Sequence, residues 1–168
     1  MKLSKHFTLE EFTYSDTAKK FGIDNTPDEI HIKVAKHTCE YLLEPLRDLL
    51  GKHYGKTVYI TITSGYRCPL LNSKVGGSST SQHVKGEAID LEAYYMSGKK
   101  KIIINYIELY NLIKQWVKQG KLSVDQCIQE CAGSARWVHC SYSSWGATKN
   151  RKQFLKYNNG KYTLDTIL

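Results

Sequence analysis

Two histidines and an aspartate carry the clearest chemistry in this chain. Ser81-Gln-His-Val-Lys-Gly-Glu-Ala-Ile-Asp90 reads S-x-H-x-x-G-x-A-x-D, and Trp137-Val-His139 follows further along. His83, Asp90 and His139 together offer two imidazoles and one carboxylate. That is the donor set of a zinc site that keeps its fourth position open for chemistry, so the first expectation is a metal-dependent hydrolase. A lone histidine is more often a surface or hydrogen-bonded residue, and His6, His31, His37 and His53 are read that way. For the other three groups the bland alternative is a hydrogen-bonded polar cluster.

The spacing favours the metal. Gly86 permits a tight turn or a close backbone approach. The run Glu87-Ala-Ile-Asp-Leu91 after it reads as a short buried strand, which places Gly86, Ala88 and Asp90 on one face. Two tiny residues ahead of Asp90 leave room above that face for an ion and a substrate. His83 precedes the turn and can fold back over the same face. His139 must come from a second strand, because Arg136-Trp-Val-His-Cys-Ser-Tyr142 is rich in aromatic and β-branched residues.

Three separated blocks now stand in order: Ser64-Gly-Tyr-Arg-Cys-Pro-Leu-Leu-Asn72, the S-x-H-x-x-G-x-A-x-D run, and Trp-Val-His-Cys-Ser-Tyr142. Together they resemble the M15 family of zinc peptidases, the D-Ala-D-Ala carboxypeptidases and peptidoglycan endopeptidases that include phage lysins. The resemblance covers roughly residues 1–145. It implies that His83, Asp90 and His139 bind Zn2+, and that Arg67 holds a carboxylate or polarises the scissile carbonyl.

One position departs from part of that family. Many members carry a glutamate general base three residues before the last histidine ligand, where this chain has Arg136. Others carry a histidine five residues before it, where this chain has Ser134. The base must then come from elsewhere, and Glu130 is the candidate. Asp125-Gln-Cys-Ile-Gln-Glu130 reads as a strand, Gly133-Ser-Ala supplies turn residues, and the chain returns from Trp137. With the tip near Ser134 and Ala135, Glu130 lies opposite His139, and directly opposed residues share a face. A one-residue slip would turn Glu130 away; the competing reading is an ordinary exposed strand residue. Ser81 and Gln82 flank the ligand and are candidates for hydrogen-bonding a peptide. Tyr66 and Trp137 either shape the cleft or belong to the core. Glu87 falls on the opposite strand face from Asp90 and is left out of the chemistry.

Composition frames these residues. The 168-residue chain suits one domain with a real core, and 41% hydrophobic content is ordinary for a globular protein. No stretch is apolar enough to span a membrane. The N-terminus lacks the apolar core of a signal peptide, so the expectation is cytoplasmic synthesis and action at the bacterial cell wall after release, as for a phage lysin. The net charge of +8 attracts polyanions in general. No nucleic-acid motif accompanies it, whereas anionic wall polymers and peptide carboxylates agree with a zinc peptidase. Five cysteines form no finger or ribbon pattern. Cys127, Cys131 and Cys140 fall by alternation on the back of the hairpin, and buried reduced thiols are expected.

The remaining segments read as scaffold. Thr8-Leu-Glu-Glu11 and Thr26-Pro-Asp-Glu29 look like capping boxes. Apolar spacing from Pro27 to about Leu50 predicts one amphipathic helix, kinked at Pro45. Pro69 to Lys74 suits a short helix. Lys99-Lys-Lys101 is expected as a loop before a helix over Ile102–Lys118. Strands are expected near 57–63, 86–92, 125–130 and 136–142. Asn159-Gly160 signals a hairpin between Phe154-Leu-Lys-Tyr157 and Lys161-Tyr-Thr-Leu164. The architecture is then α+β: a small antiparallel sheet, helices packed on one side, the metal on the open face. The M15 resemblance implies the same layout, a DD-peptidase fold that hedgehog signalling domains resemble. Residues 1–145 form the peptidase domain and 146–168 a β-hairpin extension of it. The expected partner is peptidoglycan peptide, with no nucleic acid, no membrane insertion and a monomeric state. Two rivals stand beside this: a non-catalytic zinc-containing wall-binding module of the same fold, and a basic nucleic-acid-binding protein.

Overall fold

Seven strands form one sheet in the computed structural model of the protein, which describes residues 1–166. They are β1 (Val58–Ser64), β2 (Ala88–Ser97), β3 (Lys100–Ile103), β4 (Gln126–Ala132), β5 (Ala135–Ser141), β6 (Gln153–Asn158) and β7 (Lys161–Leu164). Their order is β1-β2-β5-β4-β6-β7, with β3 paired to the far half of β2. Six helices accompany them: α1 (Leu9–Thr13), α2 (Asp16–Phe21), α3 (Glu29–Thr38), α4 (Glu44–Tyr54), α5 (Pro69–Lys74) and α6 (Tyr106–Lys118).

Alternation decides which face of the sheet is covered. Val58, Ile60, Ile89, Leu91, Ala93, Cys127, Val138, Cys140 and Phe154 all enter the core, where they meet Leu42, Leu43, Leu46 and Leu50 and the α6 residues Leu109, Tyr110 and Ile113. Each fully buried leucine of this kind contributes about 1.5–3 kcal/mol. Their neighbours in sequence, Asp90, Ile128, Glu130 and His139, point to the other face. The expected α+β arrangement is the one observed.

Several local expectations need correction. The helix from 27 to 50 begins with Asp28, not Thr26, as its cap: the Asp28 carboxylate accepts from His31 N–H. It does not simply kink at Pro45. Five residues, Cys39–Leu43, form a π turn between α3 and α4, and the Glu44 N–H reaches back five residues to the Cys39 carbonyl. Proline has no N–H to donate at the next position and crowds the preceding turn, so the widened turn absorbs it. Lys100 and Lys101 lie in β3, not in a loop, and α6 starts only at Tyr106, capped by Asn105. The β-branched run Ile102-Ile103-Ile104 favours extended backbone, and Gly98, at φ +59°, turns β2 back into β3.

The sheet is also not wholly antiparallel. β6 runs parallel to β4. β5 ends where β4 begins, Ser141 facing Gln126. A chain that returns from there to the free edge of β4 must run in β4's own direction. β7 then folds back on β6 around Asn159-Gly160. The last two residues of the proposed 146–168 extension lie outside the described residues.

Candidate active site

The strand β1 ends in an irregularity between Ile62 and Ser64, where its register against β2 shifts. This re-aims Ser64-Gly-Tyr-Arg67 toward the open face of the sheet. Gly65 is pressed against α1: a Cβ there would meet the Phe12 carbonyl oxygen at 2.2 Å. Tyr66 N–H donates to that same oxygen. Asn25 pins the other side, its amide donating to the Thr13 and Tyr66 carbonyls and accepting from Cys68 N–H. The loop is thus fixed from both flanks, and the Gly65 carbonyl accepts from His83 Nδ1 at 2.7 Å.

His83 sits in a 3-10 turn, Gln82–Lys85, which Ser81 caps and Gly86 ends at φ +76°. Only glycine takes that φ readily, and Gly86 also packs close to the His31 carbonyl of α3. Asp90 and His139 face each other directly across β2 and β5. Their side chains and that of His83 meet above the sheet. His139 Nδ1 is 3.0 Å from Asp90 Oδ1, His83 Nε2 is 3.3 Å from the same oxygen, and the two ring nitrogens are 3.2 Å apart.

These separations fit a metal. Three ligand atoms about 2.0 Å from a tetrahedral ion stand about 3.3 Å from one another. The bond from His83 Nδ1 to the Gly65 carbonyl leaves the lone pair on Nε2, which faces the other two donors. Burial holds the His83 pKa below its ordinary value, which keeps the imidazole neutral and able to ligate. Burial opposes the ionisation of Asp90, but the adjoining His83 and His139 rings outweigh it and hold the carboxyl well below its usual range. A neutral His83 beside an ionised Asp90 is the protonation pattern that cation binding requires. His83, Asp90 and His139 form a potential metal-binding group among the described residues.

The triad lies in a cleft of about 450 Å³ that Arg67, Gln82, Glu130, Trp137 and Arg151 also line. A larger cleft of about 570 Å³ lies between α1 and β1, away from the clustered donors. Arg67 donates its backbone N–H to the His83 carbonyl at 3.2 Å, and its Nη1 is 4.0 Å from Asp90 Oδ2. Among the described residues its buried Nε has no partner, nor does the buried indole N–H of Trp137. Buried donors without acceptors are uncommon, and two beside one cleft suit a polar ligand.

Glu130 stands on the triad's face by a different register from the expected one. It pairs with Trp137, while His139 pairs with Ile128. The hairpin tip is at Gly133-Ser134 rather than Ser134-Ala135. This moves the pairing by two residues, an even number that preserves the face. Glu130 is therefore diagonal to His139. Burial pushes its carboxyl up to about 7, with Asp90 adding to the rise and His139 and Arg67 working against it.

Ser81 and Gln82 line the same cleft with atoms already engaged. Ser81 Oγ accepts from His83 N–H, and Gln82 Nε2 donates to Asp125 at 3.0 Å. Glu87 accepts from the backbone and hydroxyl of Ser144 and so braces the loop after β5. Tyr66 is buried in the core. Cys127 and Cys140 oppose each other on the covered face, their sulfurs 3.6 Å apart. Gln126, Arg151, Tyr157 and Tyr162 also line the cleft. The last three arrive with β6 and its hairpin, which the Asn159-Gly160 signal announces but whose parallel place beside β4 no local pattern encodes.

No curated protein compared with the sequence matches it. The Peptidase M15 family model matches residues 5–121. That stretch is well over half of the 168-residue chain and contains Arg67, His83 and Asp90, while β4 and β5 follow it. With the donor triad in place, the match carries the conclusion that this chain belongs to the Peptidase M15 family.

Proposed function

We propose that the protein is a zinc-dependent peptidase that cleaves peptidoglycan stem or cross-link peptides, as a D-Ala-D-Ala carboxypeptidase or an endopeptidase of the phage-lysin kind. The observation that carries this is the His83–Asp90–His139 triad at 3.0–3.3 Å, set in a cleft with Glu130 and Arg67. Zn2+ held by the three residues would polarise the scissile carbonyl and make water a nucleophile at neutral pH. Glu130 accepts the proton of the attacking water and delivers it to the leaving amine. A carboxyl with a pKa near 7 is suited to both transfers. Arg67 supports the oxyanion that develops, or anchors a substrate carboxylate. Gly65 holds His83 in its tautomer through the Nδ1 bond.

In this reading residues 1–145 carry the metal and the chemistry, and the extension that follows completes the cleft through Arg151, Tyr157 and Tyr162. The protein works as a monomer on wall peptides, reaching them after release from the cell that makes it. Among the described residues no helix is long and apolar enough to cross a membrane. The deciding experiment is mass spectrometry of purified peptidoglycan after incubation with zinc-loaded protein, with His83→Ala as control. New peptide ends that the control lacks identify the bond cut. Intact wall from a folded, zinc-bound protein, across several wall chemistries, overturns the proposal in favour of a binding module.

A further inference from the structure

Arg151 lies beyond the stretch that the family matches, just before β6, yet it lines the same cleft as the donor triad. Its guanidinium is held side-on by Asp125, whose side chain is only 5% exposed. Arg151 Nε is 3.0 and 3.1 Å from the two carboxylate oxygens, and Nη2 is 2.6 Å from Oδ2. The Arg151 backbone N–H donates to Oδ1 as well. Asp125 also accepts from Gln82 Nε2, so the guanidinium is tied to the residue that precedes His83.

This clamp uses one edge of the guanidinium and leaves another open. A guanidinium carries five N–H donors in a planar fork. Nη1 makes no hydrogen bond among the described residues, and beyond Asp125 Nη2 meets only Gln82 Oε1, at 3.5 Å. The Nη1–Nη2 edge is the one that receives a carboxylate through two parallel bonds. The side chain is 54% exposed, so a ligand in the cleft can reach it. An ion pair that served only to fasten the C-terminal segment would need no open edge and no place in the cleft wall.

We propose that Arg151 is a carboxylate-recognition residue of this cleft, and that the peptides it favours carry an acidic group besides the bond to be cut. The assignment rests on the peptidase reading for the ligand being a peptide. Asp125 and Glu87 temper the charge of Arg151, but the chain's net charge of +8 draws acidic peptides toward it.

The test is a set of N-acetylated tetrapeptides in which one glutamate, moved through each position, is compared with glutamine at the same position. Affinities are measured by isothermal titration calorimetry on zinc-loaded protein in a Glu130→Gln background, which suppresses turnover. The readout is the glutamate-to-glutamine affinity ratio within each protein. With Arg151 present, glutamate at one position binds about tenfold more tightly. Arg151→Lys keeps a cation for the buried Asp125 but has no second edge, and its ratio falls to within about twofold of unity. Equal binding of both peptides at every position in the arginine protein overturns the proposal before any variant is made. A preference that survives Arg151→Lys overturns it too and assigns the carboxylate to Arg67. Either result leaves the peptidase reading standing if peptides are bound. If no peptide binds at all, both fall.

Discussion

Gly65→Ala tests how the metal ligand is held, because it touches none of the three donors. A Cβ at position 65 would meet the Phe12 carbonyl oxygen at 2.2 Å, with the Phe12 ring and carbonyl carbon at 3.0 Å. Relief needs a displacement of about 1 Å to restore ordinary van der Waals contact. The obstacle is backbone, and it already accepts from Tyr66 N–H at 2.8 Å, so the burden falls on the Ser64–Arg67 loop. The bond from His83 Nδ1 to the Gly65 carbonyl is 2.7 Å. A shift of about that size takes it beyond hydrogen-bond range. Loss of the partner that orients a metal-binding histidine costs about 10–100-fold in affinity. Overpacking adds about 1–3 kcal/mol of destabilisation. Competition with a chelating indicator reads the zinc affinity, and thermal unfolding reads the stability. An alanine variant that binds zinc within twofold of the parent would refute the claim that the Gly65 carbonyl sets the His83 ligand.

Four further outcomes follow from the same geometry. Zinc at 100 times its dissociation constant adds about 2.7 kcal/mol of stability, which in a chain of this size raises Tm by roughly 5–10 °C; His139→Ala abolishes the shift, and a chelator reverses it in the parent. Glu130→Gln lowers turnover by about 10²–10⁴-fold while equilibrium dialysis still finds one zinc per chain, whereas an unchanged kcat would remove Glu130 from the mechanism. Burial of Asp125 opposes its ionisation, but bonds from Arg151 and Gln82 outweigh it and hold its carboxyl below the ordinary value; its ionised form therefore stabilises the fold above the unfolded pKa, near 3.9, and that contribution is lost as pH falls through the lower folded value, so Asp125→Asn unfolds at lower Tm at neutral pH and loses less Tm on acidification. Among the five cysteines, Cys39, Cys127 and Cys140 are buried and Cys68 and Cys131 are half-buried, so a thiol reagent labels the last two first and all five only in denaturant; equal rates at all five would contradict the packing.

The donor triad was legible because its geometry is mostly local. Ala88 and Asp90 alternate along β2, and Gly86, expected on the same strand face, instead makes the left-handed turn before the strand that returns His83 to Asp90. The aromatic and β-branched run around His139 reads as a strand whatever its neighbours are. The helix ends were less legible. Asp28 and Thr26 are both competent caps, and nothing local chooses between them. Ile102–Ile103 suits a helix start or a strand equally well, and only the pairing of β3 with β2 decides it. Pro45 signalled an irregular helix, but the π turn that precedes it depends on how Cys39, Leu42 and Leu43 reach the core.

Glu130 shows what alternation can and cannot decide. Its expected partner was His139 and its observed partner is Trp137, yet the side chain still reaches the triad's face. A hairpin tip moved by one residue along the chain changes the sum of paired positions by two. The opposing residue is then replaced by the next one on the same side. The face a residue occupies therefore survives errors in the tip that its contact distance does not. The opposite holds for Arg151, Tyr157 and Tyr162. Their positions depend on β6 lying parallel to β4, a pairing set by where β5 ends and which sheet edge is free. No residue spacing within 146–164 contains that information, so this wall of the cleft is hidden from a local reading while the donor triad is not. Substitution of Arg151, Tyr157 or Tyr162 should accordingly change peptide affinity while leaving zinc affinity in place, and substitution of His83, Asp90 or His139 should remove zinc binding.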